Sequence, residues 1–100
     1  MRISSIAIPK VKLPDYCEHM QQELIPRYES APGLDSIHVL HRELVAYVEI
    51  TLVSVWFSQE ALSVFLDTRP FEHSSPEFAG IEFEPHTYAV LMSRQKQEPS

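Results

Sequence analysis

The chain has 100 residues, of which 44% are hydrophobic and 22% are charged, and this size and composition are typical of one soluble globular domain. Its net charge of −6 argues against nucleic acid and anionic membranes as partners, because both would repel it and phosphate contacts supply most nucleic-acid affinity. The N-terminus lacks an apolar run of signal-peptide length, and no stretch approaches the roughly 20 apolar residues of a membrane span. We therefore expect a cytoplasmic protein.

Cysteine and glycine usage excludes several kinds of site. Cys17 is the single cysteine, so an intramolecular disulfide and a cysteine-based zinc cluster are both excluded. The two glycines, Gly33 and Gly80, do not form a glycine-rich phosphate loop, so a nucleotide cofactor has no support in the sequence. We expect a protein that works without a cofactor.

The first two predicted elements are a strand and a helix. Residues 2–12 predict a strand at a sheet edge, or one that ends in a bulge at Pro9, because proline has no amide hydrogen for a central ladder. Apolar residues then recur at helical spacing, at Leu13, Tyr16, Cys17, Met20, Leu24 and Tyr28. Pro26 removes one helical hydrogen bond, so we expect a kink there or a short terminal turn that ends by Pro32 and Gly33.

The middle of the chain predicts a hairpin that leads into a second helix. Residues 34–43 and 46–57 read as strands, and the short connection between them requires an antiparallel pair. Strand parity places His38 and His41 on opposite faces, so the two cannot share a metal. Ser58 then caps a helix that presents Ala61, Leu62, Phe65 and Leu66 to the sheet and ends at Pro70.

A last strand is predicted over residues 81–93, with Pro85 restricting its first half to an edge or a bulge. The resulting order of strand, helix, strand, strand, helix, strand is that of an α+β, ferredoxin-like βαββαβ domain with a four-stranded antiparallel sheet. We expect this domain to span residues 1–94 and a flexible tail to span residues 95–100. Because the third strand is apolar on both faces, we also expect a second sheet to pack against it, which makes the protein a homodimer.

Two segments resemble the antibiotic-biosynthesis-monooxygenase (ABM) family. They are "APGLDSIHVLHREL" and "VEITLVSVWFSQEALSVFLDTRPF". Members typically have a glycine and an apolar residue at the start of the second strand, a tryptophan at the end of the third, a serine shortly after it, and a helix with a central aromatic residue. The residues that match are Pro32, Gly33, Leu34, Trp56, Ser58, Glu60, Ala61, Leu62 and Phe65.

The resemblance covers residues 2–93 and implies a homodimeric α+β barrel, in which two ferredoxin-like sheets pack together. The family includes cofactor-free oxygenases that oxidise polycyclic phenols, haem-degrading oxygenases, quinol oxygenases and members without an established reaction, so the fold alone does not select the chemistry. Haem degradation is the less favoured of these. The chain contains no asparagine, Phe65 stands at the helix tryptophan of that branch, and Ser75 stands at its histidine, with His73 two residues earlier.

Five residues are the candidates for a site. Cofactor-free oxygenation needs a dry pocket for an electron-rich ring and a group that accepts or holds its proton. Histidine suits the second task because its pKa lies near neutrality, so the predicted catalytic residues are His73 and His38. The predicted substrate-binding residues are Trp56, Phe65 and Phe71, although for Trp56 a structural role between sheet and helix is an alternative.

Two functions follow as hypotheses. The first is a cofactor-independent monooxygenase that acts on a small aromatic or quinone-like molecule. The alternative is a non-catalytic module on the same fold, which binds a small molecule or serves only to dimerise, and which gains from the incomplete catalytic constellation.

Overall fold

The protein is described by a computed structural model over residues 1–68 and 80–94. Four-stranded ferredoxin-like topology is confirmed: the strands lie in the order β2, β3, β1, β4, and every pair is antiparallel. The strands are β1 (Arg2–Pro9), β2 (Leu34–Glu43), β3 (Tyr47–Trp56) and a fourth strand in two pieces, β4 (Ile81–Glu82) and β5 (His86–Thr87), both paired with β1.

Of the two alternatives predicted for β1, the edge position is wrong, because the strand lies inside the sheet with β3 on one side and the β4 and β5 pieces on the other. It can do so because Pro9 is its last residue, where the missing amide hydrogen costs one terminal bond at most. The chain then continues as a 3₁₀ turn, Lys10–Lys12.

The first helical region runs from Leu13 to Glu29 and contains a π-helical segment. It comprises α1 (Leu13–His19), the π segment Met20–Leu24, and α2 (Ile25–Glu29). The Ile25 amide donates to the Met20 carbonyl, five residues back. Pro26 cannot donate to the Gln22 carbonyl, and the wider π turn before it is the local adjustment the helix makes. The predicted irregularity at Pro26 is therefore real, but it takes the form of a π segment.

The hairpin and the last helix agree with the sequence. β2 has the predicted bounds, and the Leu44 amide closes the turn by donating to the Tyr47 carbonyl at 2.8 Å. The final described helix is α3 (Gln59–Asp67), and the Ser58 hydroxyl accepts a hydrogen bond from the Ala61 amide at 3.1 Å, as predicted for an N-cap.

The last predicted strand is shorter than expected. Only Ile81–Glu82 and His86–Thr87 pair with β1, and residues 88–94 are not in a strand. The pairing register moves by one residue between the two pieces. Pro85 lies within this interruption, which is the edge position with a bulge that the proline predicted.

The core lies between the sheet and the helices. Directly opposite residues in an antiparallel pair lie on the same face, so the register places alternate residues of β1 and β3 under the helices. The buried residues of the core are Ile6, Ile8, Tyr16, Met20, Leu24, Tyr28, Val48, Ile50, Leu52, Trp56, Leu62 and Phe65. None of the helices in the described residues has the length and apolar character that crossing a membrane requires.

We call the other side of the sheet the open face. The register assigns to it Ile3, Ser5, Ala7, Ser36, His38, Leu40, Arg42, Glu49, Thr51, Val53, Val55, Ile81 and His86. In the part of the chain that is described, no helix packs against these residues.

Candidate functional site

Three aromatic rings meet between the end of the sheet and the helices, and we call them the aromatic cluster: Tyr28, Trp56 and Phe65. The ring centroid of Phe65 lies 4.7 Å from that of Tyr28 and 4.9 Å from that of Trp56. Tyr28 and Trp56 are 6.4 Å apart. All three are buried, and tilted ring pairs at these distances add to the energy of burial. The cluster is therefore a rigid aromatic wall.

Three different elements supply the cluster. Tyr28 belongs to α2 and continues the apolar stripe of the first helical region. Trp56 is the last residue of β3, on the parity that faces the helices. Phe65 lies on the inner side of α3, one turn after Ala61. The rings of Trp56 and Phe65 come together because β3, the second strand of the hairpin, is followed directly by the cap at Ser58 and by α3.

A chain of polar contacts leads away from the cluster on its sheet side. The Trp56 indole Nε1–H donates to Ser54 Oγ at 2.9 Å, within the core. The Ser54 hydroxyl lies 3.5 Å from the Arg2 carbonyl oxygen, as a long hydrogen bond. The Arg2 guanidinium in turn donates to the Tyr28 hydroxyl oxygen at 3.5 Å. This network fixes both the tryptophan and the tyrosine.

Burial changes the acid–base properties of this network. It raises the pKa of Tyr28 to about 12, and the nearby Arg2 guanidinium opposes only part of that shift. Burial also lowers the pKa of Arg2, against the smaller opposing influence of Tyr28, but a guanidinium keeps its proton throughout the physiological range. At neutral pH the network therefore contains a neutral phenol and a cation, and Tyr28 cannot act as a base there.

A groove of about 580 Å³ opens beside Phe65, between α3 and the segment that follows α2. This volume lies within the range of roughly 300–1,000 Å³ for small-molecule sites. It is lined by Arg27, Ser30, Ala31, Pro32, Ala61, Val64, Phe65 and Thr68. Three α3 residues of this lining and the C-cap residue Thr68 follow helical spacing, so one face of the helix forms a wall of the groove.

Gly33 fixes the distance between the two walls of this groove. A Cβ at Gly33 would overlap the Cβ of Ala61, so no larger residue fits without moving α3. The Gly33 carbonyl also accepts a hydrogen bond from the Phe57 amide at 2.9 Å. The glycine that opens β2 therefore has a packing role at the groove.

The polar groups of the groove are unequal as donors. The Ser30 hydroxyl donates to the Arg27 carbonyl at 2.8 Å, and the Thr68 hydroxyl donates to the Phe65 carbonyl at 2.6 Å. Both hydroxyl hydrogens are thus used, and their oxygens can only accept from a ligand. Arg27 is exposed and provides positive charge at the edge of the groove.

A second recess, of about 320 Å³, lies on the Trp56 side of the cluster. It is formed by the end of β3, the start of α3 and the segment after β5, and it is lined by Met1, Val55, Trp56, Ser58, Gln59, Leu62, Thr87, Tyr88, Ala89 and Val90. Among the described residues, no three histidine, cysteine, aspartate or glutamate side chains converge as metal ligands.

The structure brings together two of the five predicted site residues. Trp56 and Phe65 are in contact, and Phe65 also lines the groove. His38 is exposed on β2 and lies opposite Val53, on the open face, so it does not share a site with the cluster within one chain. Phe71 and His73 lie outside the described residues, and their roles stay predictions.

The sequence interpretation missed Tyr28, Arg2, Ser54 and Arg27. Tyr28 followed the helical spacing so well that it was assigned only to the core. Arg2 and Ser54 are two polar residues on the strand face beneath the helices, where Arg2 shares its parity with Ile6 and Ile8. This unusual pattern could have marked the network. Arg27 carried no distinguishing signal.

Comparisons with known proteins support the fold. No protein-family model matches the sequence, and no curated protein matches it. A crystal structure from Bacillus cereus, of a protein provisionally assigned as an antibiotic biosynthesis monooxygenase, superposes with a TM-score of 0.65, at 16% identity over 98% of each chain. At this identity the likeness shows the fold alone. The chain therefore shares the fold of that protein, and the predicted ABM-type fold is confirmed.

Proposed function

We propose that this protein is a cofactor-independent monooxygenase that binds a small aromatic or quinone-like molecule in the groove beside Phe65. The observation that carries the proposal is a buried aromatic cluster whose member Phe65 lines a ligand-sized groove, on a fold shared with the Bacillus cereus protein. A flat ring would pack against Phe65 and the aliphatic wall of α3.

The reaction we propose consumes one oxygen molecule for each phenol. The ring loses two hydrogen atoms and gains one oxygen atom, which gives a quinone, and the second oxygen atom leaves as water. The phenol must first give up its proton, and a dry apolar wall lets the anion meet oxygen before water. Thr68 lines the groove, and His73 follows it by five residues in the sequence, which supports our proposal of His73 as the acid–base group.

Oxygen uptake with naphthols and quinols tests this reaction. We expect one oxygen molecule consumed per quinone formed, with one atom of labelled oxygen in the product. Val64→Trp should abolish uptake, because Val64 lines the groove and is 64% exposed, so a larger ring can fill the space without disturbing the core. Val11→Trp is the matched control, since Val11 is 81% exposed and lies outside the groove. Absence of uptake in the folded wild-type protein would remove the catalytic proposal.

We further propose that the protein is a homodimer in which two open faces pack together. Leu40 and Ile81 lie on this face and are 53% and 56% exposed, and the same face contains half-buried Val53 and Val55. Apolar side chains on an uncovered sheet face favour a partner that covers them. His38 lies opposite Val53, so its proposed catalytic role requires a site at this interface.

Sedimentation of the Val53→Lys variant tests the dimer. A buried lysine at the interface should shift the protein toward monomer, whereas Val45→Lys should not, because Val45 is 99% exposed in the turn between β2 and β3. A wild-type protein that sediments as a monomer at micromolar concentration would overturn this part of the proposal.

A specific observation favours the non-catalytic alternative. Within the described residues, the groove and the aromatic cluster offer no group that titrates near neutrality, since Tyr28 has a pKa of about 12 and His38 lies on the open face. A binding module would bind naphthols with Val64-dependent affinity and consume no oxygen. Replacing His73 by glutamine separates the two hypotheses, because only the enzyme would lose turnover while binding and stability persist.

A further inference from the structure

The described lining of the groove contains one kind of side-chain charge. Within residues 1–68 and 80–94, Arg27 is the ionised residue of this lining, and the remaining members are apolar or hydroxyl-bearing. Among the described residues, no carboxylate forms an ion pair with Arg27 in the structure: the nearest candidate by helical spacing, Glu23, lies 3.2 Å from His19 Nδ1 instead. A guanidinium at the edge of an apolar groove is therefore available to a ligand.

The neighbouring acidic residues do not line the groove in the described part of the chain. Glu60 and Asp67 lie four residues before and three residues after Val64, so they border the lining face of α3 without forming part of it. Glu29 lies two residues after Arg27, on the other side of its helix. Although the chain carries a net charge of −6, the described lining of the groove carries one positive charge, that of Arg27.

The two hydroxyl groups of the groove strengthen its preference for an anionic ligand. Ser30 and Thr68 donate to backbone carbonyls, so among the described side chains that line the groove Arg27 is the group that keeps hydrogens to donate. A ligand group that only accepts hydrogen bonds matches this arrangement, and a carboxylate matches it best, because its two oxygens fit the planar guanidinium fork.

We propose that the groove selects aromatic carboxylates, with the carboxylate on Arg27 and the ring against Phe65. This inference rests on the proposed function, since it concerns the same groove. It narrows the substrate class to aromatic acids. If the protein is an enzyme, its substrate is a ring that bears a hydroxyl to be oxidised and a carboxylate to be held by Arg27. A neutral ring of the same shape would bind more weakly, and a cationic one more weakly still.

The experiment measures the affinities of three naphthalene probes that differ in charge: 2-naphthoate, 2-naphthol and 2-naphthylmethylammonium. We expect affinity to fall in that order. Arg27→Gln should weaken 2-naphthoate about tenfold, the typical value of one charge-assisted hydrogen bond, and should leave 2-naphthol unchanged. Arg27→Lys should restore part of the loss. Arg94→Gln is the control, because Arg94 is exposed, belongs to no strand and does not line the groove.

The outcomes separate this inference from the function beneath it. Equal affinities for 2-naphthoate and 2-naphthol, with no effect of Arg27→Gln, would overturn the charge selection while the groove remains a binding site. If no probe binds, or if Val64→Trp leaves binding unchanged, both the groove and the selection fail. Weakening of 2-naphthoate alone by about 0.5 M salt would support the ion pair, since salt screens exposed charges.

Discussion

Ser54 and Ser4 form a matched pair of buried hydroxyls that differ in their partners. Ser54 is 2% exposed and accepts the indole hydrogen of Trp56 at 2.9 Å. Ser4 is 3% exposed, and its Oγ has no hydrogen-bond partner. Both lie on the helix-facing side of adjacent strands, on β3 and β1. Replacing each by alanine removes the same atom with opposite expected effects.

The Ser54→Ala change should destabilise the protein by about 2 kcal/mol, the typical cost of leaving a buried donor without an acceptor. The donor here is the Trp56 indole, which is 9% exposed and has little access to water. For a domain of this size, a loss of that magnitude lowers the melting temperature by about 10 °C. Ser4→Ala removes a hydroxyl that already lacks a partner, so we expect a gain of up to about 1 kcal/mol.

Urea unfolding monitored by tryptophan fluorescence measures both effects. Trp56 is the only tryptophan, so the signal reports directly on the cluster. The two unfolding curves should shift in opposite directions with unchanged slopes. A loss of stability in Ser4→Ala equal to that in Ser54→Ala would refute the reasoning, because it would mean that the Ser4 hydroxyl makes a stabilising contact.

Two further predictions concern the walls of the groove and the buried phenol. Gly33→Ala should lower the free energy of unfolding by about 1–3 kcal/mol through overpacking against Ala61. In thermal unfolding, the double variant with Ala61→Gly should recover part of that loss. Independent, additive losses in the two single variants would contradict the contact. Because the pKa of Tyr28 is raised to about 12 from 10.0, its contribution to stability is fully present below pH 10 and is lost as the pH rises toward 12, with a slope of at most about 1.4 kcal/mol per pH unit. Tyr28→Phe should reduce this loss in urea titrations between pH 9 and pH 12, and an unchanged pH profile would exclude a raised pKa.

Sequence patterns predicted those strands and helices whose ends are set by a few neighbouring residues. The bounds of β2 and the cap at Ser58 could be read directly, because alternation, a glycine start and an N-cap hydroxyl act over a few residues. The placement of β1 and the shortened fourth strand depend on which strands pair, and this is decided by tertiary contacts. The π segment before Pro26 is intermediate: proline predicts a disturbance, but the packing of Met20 and Leu24 decides its form.

The candidate site follows the same division. Trp56 and Phe65 could be predicted because one short segment contains both, with a cap between them that fixes the turn. Tyr28 comes from a helix 28 residues earlier than Trp56 in the sequence, and Arg2 comes from the start of β1, 52 residues before its partner Ser54. No local spacing links such residues, so the polar network became visible only in the folded chain.

Phe65 and Arg27 would recognise different properties of a ligand, its flat shape and its charge. Phe65 is held by the rings of Tyr28 and Trp56, so its surface is already in place before binding and a flat ligand pays little to meet it. Arg27 is exposed and must give up side-chain freedom to hold a carboxylate, which reduces the gain from the ion pair. Shape recognition should therefore be shared by every aromatic probe and be lost together in Val64→Trp. Charge recognition should be modest and separable, which is why Arg27→Gln is expected to change the affinity for the anion alone.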